Sequence, residues 1–95
     1  MSMKHYVYIL YSSSILKYYI GESAFPVERL IEHNEGRRQK AFTKQTSDWQ
    51  TFLLIECDNR AKALKIEKKI KSMKSTKYIQ NLKKYPEMVD KLQLL

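Results

Sequence analysis

Two aromatic-rich runs, Tyr6-Val7-Tyr8-Ile9-Leu10 and Tyr18-Tyr19-Ile20-Gly21, open the chain on either side of Ser12-Ser13-Ser14. Aromatic and β-branched side chains suit a pleated, half-covered surface, and a serine cluster between two such runs reads as a turn. The pattern predicts a β-hairpin whose second strand spans residues 16–21. On the first strand, alternation sends Tyr6, Tyr8 and Leu10 to one face and Val7, Ile9 and Tyr11 to the other, so both faces are at least partly covered. On the second, Tyr19 and Gly21 share a face opposite Tyr18 and Ile20. Pairing the two strands puts Tyr8 and Tyr19 on one face, where their hydroxyls line a shallow site. Gly21 lets another backbone or a phosphate come close.

The remaining elements follow from caps and periodicity. Pro26 suits a first helical position and Gly36 a left-handed cap, which bounds a helix with an apolar stripe of Val27, Leu30 and Ile31. Projected at about 100° per residue, Arg29 and His33 stack one turn apart beside that stripe, at the edge where helix meets sheet. Residues 37–48 read as a basic loop holding Arg37, Arg38, Lys40 and Lys44, with Phe42 among them, and Trp49 to Cys57 as a third, largely buried strand. Asp58 or Asn59 caps a second helix that runs to Met73, with an apolar arc of Ala63, Leu64, Ile66, Ile70 and Met73. Glu67 falls inside that arc. A carboxylate there needs a partner, either Lys71 four residues on or a divalent cation. A further helix reaches Lys84 and a last one starts at Pro86, carrying Met88, Val89, Leu92 and Leu95. Lys74, Lys77, Lys83 and Lys84 read as a solvated face or, less commonly, a nucleic-acid surface, and the interleaved Tyr78 and Tyr85 as core or as base-stacking rings.

The chain has 95 residues, enough for one domain with one modest core. The predicted fold is α/β, a small three-stranded sheet flanked by helices. Eighteen Lys plus Arg against ten Asp plus Glu give a net charge of +8. That surplus favours polyanions through steering and counterion release. Met1 to His5 lack the apolar run of a secretory signal and no segment is long enough to span a bilayer, so the expected location is cytoplasmic, with no membrane partner. The single Cys57 forms no internal disulfide and reads as a buried thiol, and His5 and His33 offer no zinc spacing.

In this order, the parts resemble the GIY-YIG nuclease superfamily, in particular its small stand-alone bacterial members, which are similar to the catalytic domain of the incision subunit of nucleotide excision repair. The likeness covers residues 5–80. Tyr6-Val7-Tyr8 stands at the family's Gly-Ile-Tyr and Tyr19-Ile20-Gly21 matches Tyr-Ile-Gly. Arg29 falls at the family arginine, His33-Asn34 and Gly36 continue the pattern, and Ala41-Phe42-Thr43 resembles the loop threonine segment. Ala63 through Lys71 looks like the helix of the metal-binding glutamate, here Glu67. Tyr6 replaces the family glycine. Glu22 follows the second triplet where the repair proteins tend to have lysine, which adds negative charge beside the phosphate.

The resemblance implies metal-dependent hydrolysis of DNA phosphodiesters, in repair or recombination. By similarity, Tyr8 is the general base toward water, Tyr19 orients it, Arg29 holds the non-bridging oxygens, and Glu67 binds a single Mg²⁺ or Mn²⁺ on the leaving-group side. His33 supports the phosphate or the base, or is a structural histidine. With an ordinary phenol pKa of about 10, Tyr8 needs cationic charge nearby to act as a base. Gly21, Arg37, Arg38, Lys40 and Lys44 are the expected nucleic-acid contacts, and branched or damaged DNA the expected substrate. Two rivals use the same scaffold. One is a nucleic-acid-binding module with weakened chemistry, for which Glu22 argues; the other is an interaction module that takes a protein partner in a repair complex, for which an apolar patch on the last helix would argue. Oligomeric state is left open.

Overall fold

The computed structural model describes residues 3–36 and 45–95. In chain order the elements are β1 (His5–Ser12), β2 (Lys17–Ser23), α1 (Pro26–Glu35), β3 (Gln50–Cys57), α2 (Arg60–Met73), α3 (Thr76–Lys84) and α4 (Pro86–Leu92). The strands form one antiparallel sheet in the order β2-β1-β3. This is the three-stranded, helix-flanked fold that the sequence predicts. The expected contacts Arg37, Arg38, Lys40 and Lys44, and the Ala41-Phe42-Thr43 segment, lie outside the described residues.

β1 takes the centre because it is apolar on both faces. Val7 and Ile9 are buried on one side with Ile55, Cys57, Ala63, Ile66, Ile70, Ile79 and Leu82, while Tyr8 and Leu10 are buried on the other with Trp49. The helices divide accordingly. Leu30 of α1 packs on the Tyr8 side, and α2, α3 and α4 pack on the Val7 side. α1 and α2 therefore lie on opposite faces of the sheet.

β3 differs from the largely buried strand expected. It is an edge strand in which Ile55 and Cys57 are buried, while Gln50, Thr51, Leu54 and Glu56 are exposed. One covered face suffices at a sheet edge. Its register against β1 shifts between Ile9, which faces Leu53, and Leu10, which faces Thr51. Phe52 is the extra residue, and this bulge lets the consecutive Phe52 and Leu53 both pack against the core on the α2 side. There Phe52 meets the Tyr18 ring edge-on, at 5.1 Å between centroids.

Local signals set the helix ends. Pro26 opens α1 and Gly36 closes it at φ 72°. Asn59 caps α2 by accepting from the Lys62 N–H at 2.9 Å, and Ser75 caps α3 by accepting from Tyr78 at 3.0 Å. Only Leu30 of the predicted apolar stripe packs inward on α1. Val27 and Ile31 are exposed, and the buried residue is His33. Leu64 and Met73 of the predicted α2 arc are also exposed, leaving Ala63, Ile66 and Ile70 as its buried face. α4 uses Met88, Val89 and Leu92 in the molecule's own core, whereas Leu95, the fourth apolar position expected on it, lies past its end and is exposed. Tyr78 packs against that core, whereas Tyr85 is exposed. No helix among the described residues is long and apolar enough to cross a membrane.

Asp48 pins the serine turn. Its Oδ1 accepts from the hydroxyls of Ser12 at 2.5 Å, Thr46 at 2.6 Å and Ser14 at 3.0 Å, and its Oδ2 from the Ser14 N–H at 3.1 Å. These donors stabilise the charged form and hold the carboxyl well below the usual carboxylate range, the Ser12 hydroxyl most of all. Cys57 is buried in the core and burial raises its thiol pKa, as an inert structural cysteine requires.

Candidate active site

The site grows from the hairpin register. Tyr8 faces Gly21 and Leu10 faces Tyr19, so the two tyrosines share a face, with ring centroids 6.3 Å apart. The Tyr8 ring lies across Gly21. A Cβ at position 21 would stand 2.5 Å from the Tyr8 hydroxyl and 2.6 Å from Cζ, far inside contact distance. Gly21 thus makes room for a phenol of its own chain, where an incoming backbone or phosphate was expected.

Beyond Gly21 the Tyr8 hydroxyl meets His33, with 3.1 Å between Oη and Nε2. The Tyr19 ring packs on the same imidazole at 4.9 Å between centroids. Both members of the pair are covered, Tyr8 at 2% exposure and His33 at 1%. The phenol is therefore not part of the open, shallow surface that was expected. A buried imidazole on a helix needs a polar partner, and this requirement turns α1 so that His33, not Val27 or Ile31, faces the sheet. Asn34 fixes the same orientation. Its amide donates to the Trp49 carbonyl at 2.9 Å and accepts from the Trp49 N–H at 2.7 Å, tying α1 to the start of β3.

Arg29 sits one turn before His33, about 6 Å along the helix. Its guanidinium pairs with Glu32 at 2.8 Å, and it lines a cavity of about 500 Å³ at the far end of β2. Glu22 is corrected by register: it faces Val7, so its side chain points to the α2 side and away from Tyr8. There it pairs with Arg60 at 3.6 Å and His5 at 3.4 Å. Its charge is thus off the Tyr8 face, at the wall of the cavity that Arg29 and Arg60 also line.

Glu67 is attached to α2, behind the sheet as seen from Tyr8. Its carboxylate takes the Lys71 ammonium at 3.1 Å, the ordinary i,i+4 partner. Such a pair on a helix surface is worth only about 0.3–0.5 kcal/mol, little resistance to a competing cation. Among the described residues no group of three or more His, Cys, Asp or Glu is arranged to hold a metal. That excludes a dedicated protein cage there.

The structure brings Tyr8, Tyr19, Gly21 and His33 together and sets Arg29 a turn away; Glu67 makes its contact with Lys71. Sequence reasoning missed Arg60 and the Asn34 clamp. Both left a signal. An arginine at the first position of a helix opposes the helix dipole, and an asparagine inside a helix is a poor helix former, so each has a reason beyond the helix itself.

A three-stranded antiparallel sheet with helices on both faces and a phenol–imidazole pair beside an arginine defines a compact domain built around a polar hairpin site. The chain belongs to the GIY-YIG family: the model of the GIY-YIG catalytic domain matches residues 4–83. This family points to nuclease-type chemistry and DNA binding. No curated protein and no solved structure was found to match.

Proposed function

We propose that the protein is a metal-dependent DNA endonuclease acting in the cytoplasm, in repair or recombination. The observation that carries this reading is the Tyr8–His33 hydrogen bond held over Gly21 with Tyr19 alongside. A phenol is a poor base at neutral pH, with an ordinary pKa of about 10. Joined to His33 Nε2, Tyr8 passes its own proton to the imidazole as it takes one from the attacking water. Tyr19 orients that water, and Arg29 neutralises the non-bridging oxygens as charge builds at phosphorus. Glu67, which now pairs with Lys71, would hold Mg²⁺ or Mn²⁺, and the ion would supply positive charge to the phosphate and the leaving oxygen. Arg29 of α1 and Arg60 of α2 line one cavity, so both faces of the sheet contribute a guanidinium at the end of β2.

The burial of Tyr8 favours a second reading, in which the phenol and imidazole are structural and the domain binds nucleic acid without cutting it. Incubation with branched and nicked DNA in Mg²⁺ or Mn²⁺ separates the two. The nuclease reading expects nicking that Tyr8→Phe and Glu67→Ala each reduce by at least about 10²-fold. Metal-independent binding with no nicking would establish the binding module.

A further inference from the structure

The cavity at the end of β2 holds more than the tyrosine site uses. Met3, His5, Glu22, Phe25, Arg29 and Arg60 are among its walls, and its volume is about 500 Å³. Cavities of about 300–1,000 Å³ are the usual size for small-ligand sites. Arg29 enters from one face of the sheet and Arg60 from the other. Glu22 anchors the second of these: its Oε1 lies 3.6 Å from the Arg60 Nε, and its buried Oε2 lies 3.4 Å from His5 Nε2. At 3.6 Å this is an ion pair longer than a hydrogen bond, which leaves the donors of the guanidinium fork for a ligand. Phe25, the N-cap of α1 with no side-chain cap bond, is 49% exposed at this wall. Its half-open ring lines the same cavity as the two arginines.

The geometry points to a subsite for one unpaired nucleotide of a DNA strand, with its base stacked on Phe25 and its phosphate on Arg60. An exposed ring beside cationic groups is the composition of sequence-tolerant single-strand binding. A paired base is held in its stack and cannot enter a cavity without being extruded. Arg29 links the two sites, since it lines this cavity and precedes His33 by one turn. The nucleotide bound here therefore adjoins the phosphate presented to Tyr8. The inference deepens the nuclease reading, and rests on it for what is cut but not for what is bound. Its consequence is a preference for DNA with an unpaired nucleotide next to the cleaved bond.

Equilibrium binding measured by fluorescence anisotropy without divalent metal tests this, using a labelled single-stranded oligonucleotide and a blunt duplex. Phe25→Leu keeps apolar bulk but not the stacking face, and should weaken single-strand binding on the order of tenfold while changing duplex binding by less than about twofold. Arg60→Gln should lower the log-log salt slope for the single strand by about 0.7, the value of one phosphate contact, and Arg60→Lys should restore it. Melting curves confirm that each variant is folded. Wild-type affinity in both variants, or equal losses on single strand and duplex, overturns the subsite. If cleavage is normal while these variants bind as wild type, the subsite falls and the nuclease stands. A selective single-strand loss in a protein that never nicks DNA keeps the subsite and removes the nuclease.

Discussion

Gly21 and Tyr8 depend on each other, because the Tyr8 ring fills the space a side chain at position 21 would need. Gly21→Ala puts a methyl group 2.5 Å from the Tyr8 hydroxyl, so the ring must leave His33 or the strands must separate. Overpacking of this kind costs about 1–3 kcal/mol. At roughly 4–8 °C per kcal/mol for a domain this size, thermal melting should show a clear drop. Cleavage should fall with it, because the phenol no longer sits on the imidazole. Tyr8→Phe keeps the ring and loses the hydrogen bond, a change expected to cost only about 1–2 kcal/mol. Its effect on cleavage should therefore far exceed its effect on melting, a split that a structural phenol would not produce. The motif tyrosines and Gly21 were legible in the sequence because alternation in a strand assigns faces without help. The true occupant of the space over Gly21 was not, because it depends on a side chain thirteen residues earlier.

Asn34 and Asp48 join elements that the chain separates. Asn34→Ala removes two hydrogen bonds to the Trp49 backbone and leaves a buried amide and carbonyl to find other partners, at a cost of about 1–3 kcal/mol. Denaturant unfolding should register it, and α1 should loosen along with His33. Asp48 makes a prediction about pH. Its folded pKa is depressed below the ordinary value of about 3.9, so its contribution to stability is fully present above that value and is lost as pH falls toward the folded one. Asp48→Asn should be less stable than the wild type at neutral pH, with a gap that narrows on acidification below about pH 4. Urea midpoints across that range check it. Pro26, Gly36, Asn59 and Pro86 marked the helix ends correctly because caps are local chemistry. The inward face of α1 was misread because an apolar stripe usually packs inward, whereas here one buried imidazole and the Asn34 clamp set the rotation. β3 looked buried because an apolar run does not reveal whether its strand lies at the centre or the edge of a sheet.

In the assembled molecule the proposed catalytic groups arise from both faces of one thin sheet. Tyr8, Tyr19, Arg29 and His33 belong to the α1 side and Glu67 to the α2 side. Periodicity gave Ala63, Ile66 and Ile70 as the inner face of α2 but not the side of the sheet on which either helix would land, which depends on how the chain crosses over. The surplus of +8 predicts DNA binding that weakens steeply with salt, with a slope of about −0.9 per phosphate contacted on duplex. A flat response in an anisotropy titration would remove nucleic acid as the partner. The central proposition is that Glu67 and Tyr8 serve the same phosphodiester around the β2 edge. Paramagnetic broadening by Mn²⁺, read by NMR on the Tyr8 and His33 ring signals in the presence of a short DNA, tests it most directly. The account predicts strong broadening of both rings that disappears in Glu67→Ala; broadening confined to α2, with the Tyr8 and His33 signals unchanged, would contradict it.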